Sequence, residues 1–262
     1  MLSNSLSDFD MNKHSRGMDE LRSRFDEIYD KCIVGCGFVE SDEYYRLEKG
    51  RYWRSLELLS QLDIAAPARI LEIGGGHLAL LRKKLFGDDC TVADISTSYM
   101  APLQKEGIEF VTLNLMDSRP DEIVGEFDVI ILLEVVEHIP LPAHIVIERI
   151  KSFLKPSGIL FVTTPNLFRI RNLIKMILGI EFLDRFTIPE PGQGLGHQLE
   201  YSADHLRWQL ERAGMHVLTL KHDSMGRSGH SRWTRLGRWI LAPLLLRPIW
   251  RDCLVAVARR KA

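Results

Sequence analysis

Hydrophobic positions along the chain fall into short runs separated by polar turns. Apolar segments at 70–73, 90–93, 110–113, 127–133 and 159–163 read as strands, and 215–221 and 253–258 add a sixth and a seventh. The first, Ile70-Leu71-Glu72-Ile73, is apolar apart from one acid, as a strand covered on both faces should be. Helical spacing fills gaps between them. The 77–86 helix ends at Gly87, 167–180 mixes apolar and basic residues, and 203–213 stops before Gly214. Strands alternating with helices predict one α/β domain over 63–262, with a mostly parallel seven-stranded sheet, an antiparallel last strand and helices on both faces. Upstream, 1–18 is polar and expected to be loosely ordered. The segment 19–62 reads as helical, with one helix over 21–59 in which Tyr44, Tyr45, Tyr52 and Trp53 interleave with Arg46, Lys49, Arg51 and Arg54.

Between the first strand and the first core helix stand Gly74, Gly75 and Gly76. Glycines admit backbone angles and a close approach that a Cβ forbids, so a nucleotide-like ligand can lie against the main chain at the helix N-terminus. Gly74-x-Gly76-x-x-Ala79 also satisfies a dinucleotide fingerprint. Glu72 argues for a different ligand. A carboxylate just ahead of the turn repels a pyrophosphate, whereas a cofactor with an ammonium and a sulfonium, such as S-adenosylmethionine, meets no such objection. Asp94 closes the second strand roughly twenty residues on, where a carboxylate meets ribose hydroxyls in either cofactor.

The glycine turn, Asp94, Asn114-Leu115 after the third strand, Glu134-Val135-Val136-Glu137-His138 after the fourth and Leu154-Lys155-Pro156-Ser157-Gly158 before the fifth together resemble the class I S-adenosylmethionine-dependent methyltransferases. The resemblance covers most of the chain and implies their Rossmann-like fold. It assigns Glu72, Gly74 and Gly76, with Gly75 between them, to the methionine part of the cofactor. Asp94 falls to the ribose diol, Asn114 and Leu115 to the adenine, and Glu134 to the pocket's closure. Asn114 stands where many relatives carry Asp, but its amide oxygen can still accept from the adenine amino group.

Ligands in open α/β sheets gather outside the carboxyl ends of the strands, which is where Glu134, Glu137 and His138 fall. On a helical turn these spacings share one face, so two carboxylates and an imidazole can form half of a divalent-metal site. A further ligand can come from Gly196-His197-Gln198-Leu199-Glu200-Tyr201. Glu-x-x-Glu-His followed by His-x-x-Glu-aromatic is similar to the metal-dependent small-RNA 2′-O-methyltransferases and, in its first part, to the ubiquinone-pathway O-methyltransferases. That likeness implies magnesium, manganese or zinc on Glu134, Glu137, His138 and His197. A chelating cation lowers the pKa of neighbouring hydroxyls, so that one attacks the methyl carbon as an alkoxide. The residues themselves leave a second reading open, in which His138 is a lone general base and Glu137 only pairs with it.

A net charge of −1 over 262 residues exerts no global pull on nucleic acid, and no duplex partner is expected. The four cysteines, Cys32, Cys36, Cys90 and Cys253, are scattered, which fits reduced thiols. With no apolar stretch of signal-peptide length at the N-terminus, a cytoplasmic location is expected. The resemblance also implies that the helical segment 19–62 is a lid closing over the cofactor, so Tyr45 and Arg46, with Asn166 after the fifth strand and Tyr201, are candidate substrate contacts. The bland readings are a helix packed on the sheet edge with a solvated basic face, and an Asn166 that satisfies its own turn. The insert 167–196 is expected to cover the substrate, with 189–196 as a mobile connection. Segment 224–251 holds no acid up to Arg251 but six arginines, three tryptophans and the apolar run 240–246. A membrane interface, a homodimer contact and a hairpin on the sheet all fit it. The expected reaction is methyl transfer to a hydroxyl oxygen of a small-molecule, glycan or lipid-linked acceptor with adjacent hydroxyls. Alternatives are a metal-free N- or C-methyltransferase, a noncatalytic cofactor-binding module and a nicotinamide dehydrogenase.

Overall fold

The computed structural model describes residues 4–116, 123, 126–183, 196–225, 239, 243 and 246–261, with the backbone alone for 4–16. Helices α1 (Asn4–Cys32) and α2 (Asp42–Ser60) precede β1 (Arg69–Ile73), α3 (His77–Phe86), β2 (Asp89–Asp94), α4 (Met100–Lys105) and β3 (Glu109–Thr112). Then follow β4 (Phe127–Leu133), α5 (Ala143–Ile150), β5 (Leu154–Pro165), α6 (Ile170–Ile177), α7 (Ala203–Arg212), β6 (Met215–Asp223) and β7 (Cys253–Arg260). The sheet order is β3-β2-β1-β4-β5-β7-β6, and β7 runs antiparallel to both its neighbours. All seven strands stand where the apolar runs place them. The order reverses beside β1, so the carboxyl ends of β1 and β4 open a crevice there.

Each face of the sheet carries its own core. On one, Phe25, Tyr29 and Leu56 of the N-terminal helices pack with Leu78 and Leu81 of α3. On the other, Val146 and Ile147 of α5 meet Leu206 and Leu210 of α7. Burial on both faces is what makes the strands continuous apolar runs.

The N-terminal segment departs from expectation in three ways. Helix α1 begins at Asn4, inside the stretch expected to be loose. Two helices replace the single one over 21–59, with α2 restarted by Ser41, whose side chain accepts from the Tyr44 amide. Two basic residues of α2 are paired rather than solvated: Lys49 reaches Asp26 and Asp30 of α1, and Arg54 reaches Asp223 of β6. Helix α6 is shorter than 167–180, and α5 was not marked by the apolar pattern. The connection 189–196 apart from Gly196, and most of 224–251, lie outside the described residues.

Candidate functional site

The glycine turn is fixed by its neighbours as much as by its own angles. The Gly74 amide donates to the Ala93 carbonyl (2.9 Å), and Asp94 accepts from the amides of Gly75 (2.8 Å) and Ser96 (2.7 Å). Gly74 and Gly76 have φ of 95° and 94°, a region that disfavours a side chain. A Cβ on Gly74 would lie 2.6 Å from Val135 Cγ2, and one on Gly76 2.8 Å from Val92 and 2.9 Å from Leu103. The turn therefore sits clamped between β2, α4 and the loop after β4.

Glu72 lies beneath this turn, buried, with its carboxylate drawn to the amides of Ala79, Leu78 and Gly76. Burial pushes its pKa up to about 8 against the pull of those amides. It anchors the turn from inside. It also takes up helix N-terminal amides that a pyrophosphate would need, which removes the physical basis of the dinucleotide reading. Asn114 accepts from the Met116 amide (3.0 Å), and Leu115 is buried beside it.

Over the start of α3 lies the N-terminal segment. His77 is buried among Phe38 (ring centroids 4.5 Å), Tyr45 (4.9 Å), Tyr52 (5.5 Å) and Tyr99 (5.8 Å), and burial lowers its pKa to about 4, so it is neutral. The hydroxyls of Tyr45 and Tyr99 both donate to Glu40. Arg46 is exposed on the outside of α2. The cation that reaches the crevice is Arg51, buried against Glu48 (3.1 Å), the Tyr44 hydroxyl (2.9 Å) and Glu134 (3.8 Å). Sequence reasoning missed Arg51 by placing it on a solvated face. The signal was Glu48, one helical turn earlier on the same side.

After β4 the chain makes a turn rather than a helix, with the His138 amide donating to the Val135 carbonyl (3.0 Å). Glu134 opens it at φ 58°. Its carboxylate accepts from Thr163 Oγ1 (3.0 Å) and Cys253 Sγ (3.3 Å) and faces Arg51. Glu137, His138 and His197 converge, each offering a ligand atom within 4.8 Å of the others. Glu134, expected as a fourth member, is not part of this cluster because its carboxylate is turned toward Thr163 and Arg51.

Glu137 is fully buried and accepts from Thr164 Oγ1 (3.0 Å), while its Oε1 has no hydrogen-bond partner among the described residues and lies 3.9 Å from His138 Nε2. Burial and the nearby Glu134 charge hold its carboxyl well above the usual range. The His138 and His197 rings stand 4.9 Å apart and nearly perpendicular, at 84°. Their alignment comes from backbone pairing across the chain: the Gln198 and Leu199 amides both donate to the Glu137 carbonyl (2.8 and 3.2 Å).

The two remaining candidates, Asn166 and Tyr201, are both buried. Asn166 is buried, donates to the Ile249 and Arg251 carbonyls (2.7 and 2.8 Å) and accepts from the Phe168 amide (3.1 Å), which satisfies its own junction. Tyr201 is buried in the core on the α5–α7 side. Its phenol is pushed up to about 12 by burial and by the Glu137 charge.

Comparison with known proteins supplies the family. A model described as "Methyltransferase domain" matches residues 44–220. The ubiquinone biosynthesis O-methyltransferase of Shewanella halifaxensis is 31% identical over 122 residues, 44% of this chain and 50% of that protein. The protein of the same name from Nitrosococcus oceani is 35% identical over 118 residues, 42% and 49% of the two chains. The chain thus spans about half the length of the curated relatives it matches. The crystal structure of an S-adenosylmethionine-dependent methyltransferase from Mesorhizobium loti superposes with a TM-score of 0.54 at 16% identity, over 80% of this chain and 98% of that one, which shows the fold. With the family model covering most of the chain and the sheet order in agreement, this protein belongs to the methyltransferase-domain family, within the class I S-adenosylmethionine-dependent superfamily.

Proposed function

We propose that the protein transfers the methyl group of S-adenosylmethionine to a hydroxyl oxygen of a small-molecule, glycan or lipid-linked acceptor with adjacent hydroxyls. The observation that carries this reading is the convergence of Glu137, His138 and His197 at the carboxyl end of β4, across the crevice from the glycine turn. The printed names of the relatives, O-methyltransferases, support an oxygen acceptor.

The residues present fit the donor. Gly74 to Gly76 let it approach the main chain, Asp94 is placed to take its ribose hydroxyls, and Asn114 with Leu115 borders the adenine. When bound, it supplies a sulfonium-borne methyl, an electrophile that needs little more than a nucleophilic oxygen in line with the sulfur. His138 removes the hydroxyl proton at Nε2. Its Nδ1 lies 3.3 Å from the Gly196 carbonyl, which can only accept, so Nδ1 carries the ring proton and Nε2 the lone pair.

The cluster also fits a divalent cation. Glu137 Oε1, buried without a hydrogen-bond partner among the described residues, and two imidazoles make a mixed oxygen and nitrogen donor set suited to manganese or zinc. Such an ion would lower the pKa of a neighbouring hydroxyl. The decisive experiment is mass spectrometry of catechol and diol acceptors incubated with isotopically labelled donor, with a chelator or with added magnesium, manganese or zinc. O-methyl product is expected. Loss of product with chelator and its return with one ion favours the metal form, and survival favours His138 alone. Labelled N- or C-methyl products only, or donor binding without turnover across the panel, would sink the oxygen reading.

A lipid-linked acceptor gains support from the end of α6, where Met176, Ile177 and the C-cap residue Leu178 are exposed beside the basic residues Arg171 and Lys175. No helix among the described residues is long and apolar enough to cross a membrane. Co-sedimentation with anionic vesicles, reduced by Ile177→Glu, checks the contact.

A further inference from the structure

Helix α6 is fastened by its polar side. Asn172 and the N-cap residue Arg169 are both buried, and both donate to Glu200, whose side chain has no exposed surface. Arg169 Nε also donates to Asn172 Oδ1 (3.1 Å), and Asn172 Nδ2 to the Leu167 carbonyl (3.1 Å). Ile170 is buried, but Ile174, Met176, Ile177 and the C-cap residue Leu178 are exposed, Ile177 by 76% and Leu178 by 65%. A helix on a water-facing surface is turned the other way, with its apolar stripe against the core. Here a polar clamp does the fastening and the apolar side points away from the protein.

A second stretch, far along the chain, meets the root of this helix. Asn166 donates to the Ile249 and Arg251 carbonyls (2.7 and 2.8 Å), and its amide donates to the Asp252 carbonyl (3.0 Å). In that stretch Leu246 is 78% exposed and Ile249 is exposed too, as is Phe168, two residues past Asn166. Residues 168–180 and 246–251 together carry five basic residues and no acid. Arg171 and Arg247 are exposed and Lys175 is half-buried. Spacings of three and four put Arg171 and Lys175 on the same side of α6 as Ile174 and Leu178. This charge pattern selects the occupant. Two copies joined through the patch would bring cationic rims together, which opposes association. An anionic bilayer offers hydrocarbon to the apolar residues and phosphates to the cations at once.

We propose that α6 and residues 246–251 form one docking face for an anionic bilayer, with the apolar side chains among the acyl chains and Arg171, Lys175 and Arg247 at the phosphates. This extends the α6 contact to a second segment and names what both of them meet. Because Glu200 ties α6 to the loop that carries His197, the docked face and the Glu137, His138 and His197 cluster are held in a fixed relation. An acceptor carried in the bilayer is then presented to the crevice from the docked side. The inference rests on the lipid-linked reading of the acceptor only for its purpose; docking is measured with neither donor nor acceptor present.

The test is partition of the full chain onto vesicles of mixed phosphatidylcholine and phosphatidylglycerol, and onto phosphatidylcholine alone. Binding to the mixed vesicles is expected, weakened by salt and by loss of the anionic lipid. Ile177→Glu and Leu246→Glu should each lower the partition coefficient by about tenfold or more. Arg171→Gln with Arg247→Gln should lower it by about fivefold per charge removed, and reads the same face should an acidic variant fail to fold. Val39→Glu, exposed in the connection before α2, should bind as the wild type does. No binding to the mixed vesicles, equal binding to phosphatidylcholine alone, or wild-type partition in folded Leu246→Glu would overturn the proposal. So would a wild-type dimer, seen by light scattering, that Ile177→Glu or Leu246→Glu dissociates. If only water-soluble acceptors are methylated while vesicle binding behaves as expected, the lipid-linked reading of the acceptor fails and the docking face stands.

Discussion

On the β1 side of the crevice the main chain does most of the positioning. Three glycines in the left-handed region, a strand-end aspartate on two amides and a buried glutamate under the helix start all lie within 72–96. On the β4 side side chains do it, and they come from far apart. Glu137 and His138 meet His197 through the loop that Glu137's own carbonyl holds, and Glu200 ties that loop to Arg169. The difference teaches where each half can be damaged. The donor side should fail through backbone strain, and the acceptor side through loss of one side chain with the fold intact.

The largest effect expected is on turnover. His138→Ala should lower it by about 10²–10⁴-fold while donor affinity, measured by calorimetry, stays unchanged. Comparable loss of donor binding would erase the division between the two sides. Next, Gly76→Ala should destabilise the fold by about 3–5 kcal/mol in urea unfolding, since a Cβ must be forced both into the φ region near 94° and against Val92 and Leu103. Arg51→Ala should cost about 3 kcal/mol, because it removes a buried cation paired with both Glu48 and Glu134. A stability change under 0.5 kcal/mol on the order of a surface substitution is expected for Arg46→Ala, and would separate the two arginines of α2.

A subtler contrast lies in pH. Native Glu72 stays protonated up to about 8, whereas the unfolded group ionises near 4.5, so its contribution to stability falls as pH rises between those values. Native His77 stays neutral down to about 4, whereas the unfolded ring takes a proton below 6.5, so stability rises with pH from 4 to 6.5. The slopes oppose each other between 4.5 and 6.5. Considering these two groups, melting temperature should be flat there and decline from 6.5 to 8. In Glu72→Gln the decline should vanish, and in His77→Phe it should begin near 4.5. Unaltered profiles in both variants would show that neither group is buried as described.

Much of the donor side was legible because its determinants are local. The run before the glycines, the helix to Gly87 and the second strand closing at Asp94 each follow from spacing over a few residues. Glu72 was found, but its hold on the amides at the start of α3 was not: a strand-end acid reads the same whether it faces a ligand or turns under the helix. On the other side His138 and His197 could be picked out as chemistry-bearing residues. That Glu134 would turn to Thr163 and Arg51, and that Glu200 would be enclosed by Arg169 and Asn172, could not, since those partners lie 28 to 83 residues away.

By itself the sequence determined the seven strands, the glycine turn and the family, because periodicity and backbone conformation are properties of short segments. The tertiary structure alone decided which carboxylate joins the histidines, which arginine enters the crevice and which residue stands behind His197. Those outcomes depend on burial and on charges brought together across the chain, and a charged side chain's partner is set by where desolvation leaves it rather than by its neighbours in sequence.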